Sequence, residues 1–317
     1  MTGSVLTVTA NPALDKTYVV EQLNPGDSHR VPPPVVRAGG KGMNVARVAH
    51  QLGASVLAVA TCGGSSGRAY REDLDRSGIP HRLVPVEPAT RHSLAFVDRS
   101  AGATSIFNET GSALSSSEWR ALEQQTGEHL RAAGCLVGSG SLPPQSPADF
   151  YPGLVRAASR RGVPCIIDTS GPDLIRAAEA GVFAVKPNHR ELLEATGEAN
   201  PQTAARVLIA RGAGVVFLSC GEDGMLAFTS ADPGHFLQAR LGHALKGNPT
   251  GAGDAAVAAI AVLLAAGCRD VTLMLRTAAA WSSAAVLMPA AGEISPEHRS
   301  LIRRITVTRH HDGEELR

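Results

Sequence analysis

The chain has 317 residues, 44% of them hydrophobic, which suits one large α/β domain with a small appendage, or two domains. Thirty basic side chains nearly balance 29 acidic ones, and the formal net charge of +1 gives no electrostatic case for nucleic acid or an anionic membrane. Cys62, Cys135, Cys165, Cys220 and Cys268 have neither metal nor redox spacing, no apolar window is long enough to span a bilayer, and the N-terminus reads as a strand rather than a leader, all of which fits a soluble cytoplasmic protein with reduced thiols.

In chain order, residues 5–10 alternate with β-branched side chains and read as a strand that stops at Asn11-Pro-Ala-Leu-Asp15. Asp15 is either a turn aspartate or a ligand contact, because open parallel sheets bind ligands beyond the C-terminal ends of their strands. Residues 16–37 alternate weakly around Pro and Gly and read as short exposed strands of a small antiparallel lid. Gly39-Gly-Lys-Gly-Met-Asn44 then opens a helix that Gly53 ends. It lacks P-loop spacing. Gly39 and Gly40 allow close backbone approach to a polyol, and Lys41 and Asn44 supply donors.

A β-α unit fills residues 55–77, and residues 81–108 return to paired short strands assigned to the same lid. Arg91 is either a solvated edge residue or a phosphate clamp with a planar fork of donors. From residue 115 the pattern is β-α alternation. Its strands stop in Gly138-Ser-Gly-Ser-Leu-Pro143, Asp168-Thr-Ser-Gly171 and Lys186-Pro-Asn-His-Arg-Glu191, as in a parallel sheet with one active edge. Glu191 is either the capping-box partner of Asn188 or a holder of magnesium-bound water. A strand at 215–219 and a second at 226–229 form a hairpin that makes this end of the sheet mixed. Only four basic residues are lysines (Lys16, Lys41, Lys186 and Lys246), in or beside the Gly/Asn/Asp clusters.

Asn248-Pro-Thr-Gly-Ala-Gly-Asp254 leads into an uncharged apolar helix at 255–266, with a second helix at 271–288 and a polar, frayed end at 306–317. The backbone N–H groups of the Gly-rich turn, together with the helix dipole, suit an oxyanion. Asp254 in the first turn is placed to take a proton from a hydroxyl during phosphoryl transfer. An ordinary acidic first-turn residue remains the alternative on these residues alone.

Five motifs combine in order: Thr9-Ala-Asn-Pro-Ala-Leu-Asp15, Gly39-Gly-Lys-Gly-Met-Asn-Val-Ala46, Gly138-Ser-Gly-Ser-Leu-Pro143, Lys186-Pro-Asn188 with Glu191, and Pro249-Thr-Gly-Ala-Gly-Asp254. Together they resemble the PfkB/ribokinase-like carbohydrate kinases over roughly residues 4–305, and within them the branch of 1-phosphofructokinase and tagatose-6-phosphate kinase. The resemblance implies a single ribokinase-like kinase domain over 1–317, a three-layer α/β/α fold with a mostly parallel central sheet. Its discontinuous antiparallel β lid comes from about 16–37 and 90–108, and a homodimer through that lid is implied as well.

By the same resemblance, Asp254 is the base and the N–H groups of Gly251, Ala252 and Gly253 hold the transferring phosphoryl group. Asp15, Gly39, Gly40 and Asn44 bind the sugar. Lys41 and Arg91, with Arg30 or Ser139, bind a phosphate already on it. Lys186, Asn188, Ser219, Gly221, Gly224 and Asn248 face ATP, and Glu191 holds Mg2+ through water. The expected reaction is ATP-dependent phosphorylation of fructose 1-phosphate, fructose 6-phosphate or tagatose 6-phosphate to a bisphosphate. The alternatives are a kinase of an unphosphorylated sugar or nucleoside, and a non-catalytic sugar-phosphate sensor. A dinucleotide oxidoreductase fails because no Gly-x-Gly-x-x-Gly follows the first strand.

Overall fold

The computed structural model describes residues 3–243 and 245–314. Its strands are β1 (Ser4–Thr9), β2 (Ala13–Val20), β3 (Val35–Gly39), β4 (Val56–Cys62), β5 (His81–Pro85), β6 (Arg91–Asp98), β7 (Ala103–Asn108), β8 (Ala133–Ser139), β9 (Cys165–Asp168), β10 (Ala184–Val185), β11 (Val215–Ser219), β12 (Met225–Thr229), β13 (Asp232–Arg240) and β14 (Thr306–His311). The helices are α1 (Lys41–Gln51), α2 (Gly64–Ser77), α3 (Ser116–His129), α4 (Phe150–Ser159), α5 (Pro172–Glu179), α6 (His189–Thr196), α7 (Pro201–Ala210), α8 (Ala252–Ala265), α9 (Val271–Val286) and α10 (His298–Arg304).

The large sheet has the order β14-β13-β12-β11-β10-β9-β8-β1-β4-β5. From β11 to β5 every pairing is parallel, and from β11 to β14 every pairing is antiparallel. The central strands β8, β9 and β11 run Leu, Val, Ile and Phe without alternation, because both of their faces are covered. Two apolar clusters do the covering. Met43, Val45 and Val48 of α1, Leu74 of α2, nearly all of α8 and the inner face of α9 (Met274, Leu275, Ala278, Trp281 and Ala285 among others) lie in one. Trp119, Phe150, Leu154, Leu174, Leu192 and Leu208, from α3 to α7, lie in the other. This is the expected three-layer arrangement.

The lid is a four-stranded sheet of order β3-β2-β6-β7. Its outer pairs are antiparallel as expected. The central pair, β2 with β6, is parallel over eight residues, so the lid is mixed rather than wholly antiparallel. The reason is connectivity: between β2 and β6 the chain passes through the large sheet, and β6 re-enters in the direction of β2.

Two local expectations are corrected. The strand at the start of the 81–108 segment, β5, leaves the lid and joins the large sheet beside β4, because the crossover through α2 returns the chain parallel to β4. The segment 306–311 is not frayed: it is the edge strand β14, paired with β13 over six residues. Polar side chains are what an edge strand carries. Residues 315–317 of that segment lie outside the described residues.

Candidate active site

Neighbouring parallel strands end side by side, so the residues after them line one edge in spatial order. Ser219 closes β11, Lys186 follows β10, Asp168 closes β9, Ser139 closes β8 and Asn11 follows β1. The lid stands over this edge and α8 points its N-terminus into it. Between them lies a cleft of about 1870 Å³.

Most of the expected site residues converge there. The cleft wall includes Asp15, Gly40, Lys41, Asn44, Arg91, Lys186, Asn188, Glu191, Ser219, Gly221, Gly224, Asn248, Gly251, Ala252, Gly253 and Asp254. Three expected residues stand elsewhere. Gly39 sits behind the wall, where it makes room for Asp15: a Cβ on it would stand 1.9 Å from Asp15 Oδ2. Ser139 is buried and donates from Oγ to Asp168 Oδ2 at 3.2 Å. Arg30 is exposed on the loop between β2 and β3 and does not reach the cleft.

At the centre, Gly251 adopts φ 82° as the N-cap of α8, a left-handed turn open to glycine. Of the N–H groups that follow, that of Ala252 donates to the Pro249 carbonyl at 3.1 Å, while that of Gly253 has no intrahelical acceptor and lies on the cleft wall, the centre of an anion cradle. Asn248 Oδ1 accepts from the Thr250 N–H at 3.0 Å, and its Nδ2 donates to the Pro289 carbonyl at 3.1 Å, which shapes the approach to this turn. Asp254, 6% exposed, accepts at Oδ2 from Asn44 Nδ2 at 2.8 Å. Burial and the nearby Asp168 carboxylate push its pKa up to about 7, against Lys41, the Asn44 hydrogen bond and Lys186. Burial also pushes Asp15 up to about 7, with Arg91 opposing and Asp254 adding to the rise. Two carboxyl groups in the cleft thus change charge near neutrality, as groups that exchange protons in catalysis do.

Positive charge faces them. Lys41 Nζ lies 3.2 Å from Glu191 Oε1 and 3.7 Å from Asp168 Oδ1. Burial works against the ammonium, but the carboxylates of Asp168, Glu191 and Asp254 outweigh it and hold the Lys41 pKa above its ordinary value. Lys186, 3% exposed, lies 3.8 Å from the same Asp168 oxygen, and its Nζ donates to Ser219 Oγ at 3.4 Å. It also covers the cradle, since a Cβ on Gly253 would stand 3.2 Å from Lys186 Nζ. Arg91, on lid strand β6, donates to the Asn11 and Glu109 carbonyls at 3.2 and 3.0 Å at the edge of the cleft.

Glu191 takes the first of the two roles its sequence position suggested, the capping box. Oε2 closes a capping box on the Asn188 N–H at 2.9 Å, while Oε1 faces Lys41. Among the described residues no group of three or more His, Cys, Asp or Glu stands ready to hold a metal. Sequence reasoning missed Asp168. It is fully buried and links both lysines, and burial, which would raise its pKa, is overcome by Lys186, Lys41 and Ser139, which hold it below the usual range. The signal was available: a carboxylate closing a buried strand on the active edge.

A model of the pfkB family of carbohydrate kinases matches residues 9–298. The chain belongs to this family. It is 37% identical over 273 residues to an ATP-dependent 6-phosphofructokinase isozyme 2 of Mycobacterium tuberculosis, covering 83% of this chain and 78% of that protein. It is 34% identical over 306 residues to a 1-phosphofructokinase of Xanthomonas campestris, covering 94% and 95%. The crystal structure of phosphofructokinase-2 from Escherichia coli in complex with potassium superposes with a TM-score of 0.86 at 31% identity, covering 95% of this chain and 98% of the other. The family's α/β architecture is therefore the one described above. Among the described residues no helix is long and apolar enough to cross a membrane.

Proposed function

We propose that this chain is an ATP-dependent kinase that phosphorylates a hydroxyl of a ketohexose phosphate, namely fructose 1-phosphate, fructose 6-phosphate or tagatose 6-phosphate, to give a bisphosphate. The observation that carries the reading is Asp254: a buried carboxyl tuned to about 7, in the first turn of α8 beside the Gly251–Gly253 cradle. With Oδ2 held by Asn44, Oδ1 is left to receive the proton of the acceptor hydroxyl. The deprotonated hydroxyl oxygen of the sugar forms the new bond to the γ-phosphorus as the bond to the ADP oxygen breaks, and ADP leaves. The cradle N–H groups and the Lys186 and Lys41 ammonium groups stabilise charge on the equatorial oxygens, where one lost donor typically costs on the order of 10²–10³ in rate.

Asp15, Gly40 and Asn44 hold sugar hydroxyls, and Arg91 supplies fixed charge for the phosphate already present. Lys41 reaches the nucleotide side through Glu191 and Asp168, so it serves the transferring group at least as directly as the sugar phosphate. Lys186, Asn188, Ser219, Gly221, Gly224 and Asn248 line the nucleotide end. Magnesium fits here only through water: both oxygens of Glu191 are engaged, and an ion that keeps most of its hydration needs no more. When bound, the ion neutralises charge on the β- and γ-phosphate oxygens.

The chain acts as one kinase unit over 1–317. Exposed apolar side chains of the lid, with Val19, Val35 and Ile106 on one face and Val36 and Phe107 on the other, support pairing with a second copy, which sedimentation at micromolar concentration reads directly. Free cysteines support a reducing, cytoplasmic setting. The deciding experiment is magnesium-dependent ADP production against fructose 1-phosphate, fructose 6-phosphate, tagatose 6-phosphate, fructose and ribose. Turnover with a phosphorylated ketose is expected. Preference for a free sugar would overturn the phosphate-binding roles of Arg91 and Lys41.

A further inference from the structure

The kinase reading uses the first turn of α1 and leaves a polar stripe farther along it unassigned. Asn44, Arg47 and Gln51 follow each other at three and four residues, so they share one face of α1. Each holds a different part of the molecule. Asn44 holds Asp254. Arg47 donates from Nη1 to Ser77 Oγ at 2.9 Å, and from Nη2 to Asp73 Oδ2 at 2.7 Å and to the Ala38 carbonyl at 3.1 Å. The same Asp73 oxygen accepts from the Ala38 N–H at 2.8 Å. Both backbone polar groups of Ala38, the residue before the Gly39–Gly40 turn from lid strand β3 into α1, are therefore held by one ion pair. Gln51 exchanges two hydrogen bonds with the backbone of Ile294, at 2.9 and 3.0 Å.

The segment preceding Ile294 closes the circuit. A Cβ on Gly292 would stand 2.8 Å from Arg47 Cδ and 3.2 Å from Asn44 Oδ1. A Cβ on Gly251 would stand 2.8 Å from the Cβ of Ala291, so this segment also backs the turn that opens α8. Arg37 of β3 adds an ion pair to Glu293 at 2.5 Å. Contacts thus run without a gap from the lid, through Arg47, to the anion cradle. A planar guanidinium with donors in a fixed fork cannot follow one end of this run without pulling on the other.

We propose that Arg47 is a positioning residue that ties closure of the lid over the sugar phosphate to alignment of the Gly251–Gly253 cradle. It touches neither substrate. It acts on the lid through Ala38 and on the cradle through Gly292 and Ala291, so each substrate site senses whether the other is filled. Lysine in its place keeps the charge and loses the fork that spans Ser77, Asp73 and Ala38. Coupling between two sites through packed, hydrogen-bonded elements typically changes affinity about 5- to 150-fold.

The inference rests on the kinase reading, and its test separates the two. The full chain and its Arg47→Lys and Asp73→Asn variants are titrated with fructose 1-phosphate, fructose 6-phosphate and tagatose 6-phosphate, with and without a non-hydrolysable ATP analogue, alongside steady-state turnover. In the unsubstituted chain each ligand is expected to tighten the other at least about fivefold. In Arg47→Lys the coupling is expected to drop below about twofold and kcat to fall about tenfold, while the analogue alone binds within about twofold of its original affinity. Asp73→Asn follows in the same direction and decides the matter alone if Arg47→Lys does not fold. A folded variant that loses only thermal stability and keeps coupling and kcat makes Arg47 a structural residue and overturns the inference, as does absence of coupling in the unsubstituted chain. If the unsubstituted chain binds neither ligand, the kinase reading itself fails.

Discussion

Asn44 and Asp254 stand 210 residues apart in the chain and 2.8 Å apart in the fold. The bond joins the first turns of α1 and α8, the two helices that carry the Gly-Gly-Lys-Gly and Gly-Ala-Gly-Asp motifs. It fixes one oxygen of the carboxyl and leaves the other free to act.

Asp254→Asn is therefore expected to fold and to lose about 10²–10⁴ or more in kcat, the usual contribution of a general base. Steady-state ADP release measures it. Retained turnover would remove Asp254 from the chemistry.

The same carboxyl predicts two opposite pH trends. kcat/KM should rise with pH along an acid limb centred near 7, because the base acts only when deprotonated. Stability should move the other way. Burial holds the folded-state pKa of Asp254 up at about 7, above the ordinary carboxylate value of 3.8, so its contribution is fully present below about 4 and lost as pH rises to about 7. The loss is on the order of 2–4 kcal/mol. It is read as the difference in Tm between the unsubstituted chain and Asp254→Asn from pH 4 to 8. A difference that does not change with pH would contradict the assignment.

Asp168→Asn removes the charge that helps raise Asp254 and the shared partner of Lys41 and Lys186. The acid limb of kcat/KM is expected to move to lower pH. Tm should drop as well, since breaking a buried ion pair from one side costs about 3–5 kcal/mol. A pH–rate profile unchanged in position would show that Asp168 does not act on the base.

Gly39→Ala puts a methyl group into the space of the Asp15 carboxyl. Displacing a substrate-positioning group by about 1 Å can cost 10² in rate. KM for the sugar phosphate should rise at least about tenfold, with affinity for an ATP analogue unchanged in direct titration. Equal weakening of both ligands would point to a general disturbance instead.

Arg91→Ala should weaken the phosphorylated ketose far more than the free one. A hydrogen bond to a charged group contributes about 1.5–3 kcal/mol, which corresponds to roughly 10- to 100-fold in KM. Loss of the same size with fructose would show that Arg91 shapes the lid rather than binding phosphate.

The sheet and the site were legible in the sequence to different depths. Buried strands such as β8 and β11 announce themselves as apolar runs that stop in polar residues, and the Gly-rich helix starts at Gly40 and Gly251 give the cleft its two sides. What stayed hidden depends on tertiary placement. The parallel pairing of β2 with β6 depends on where the chain goes between them, and β5 has the composition of a lid strand but the connection of a sheet strand. Asp168 carries the same signal as Lys186, yet only the shared edge reveals that one carboxylate serves two lysines. Ser139 looked like a contact and lies one layer below, holding Asp168. Arg47 and Gln51 look like ordinary polar helix residues until the 291–294 segment is seen against them.

The helix that carries Asp254 is buried on nearly every side, from Ala255 through Ala261 and again at Leu264 and Ala265, whereas β7 of the lid is largely solvent-facing. Amide hydrogen exchange should divide the molecule along that line. Protons in the middle of α8 should be released only when the whole chain unfolds, while those of β6 and β7 should be released by local opening. On that expectation the carboxyl proposed to take the proton sits in a slowly exchanging helix, and the strands over the cleft exchange faster.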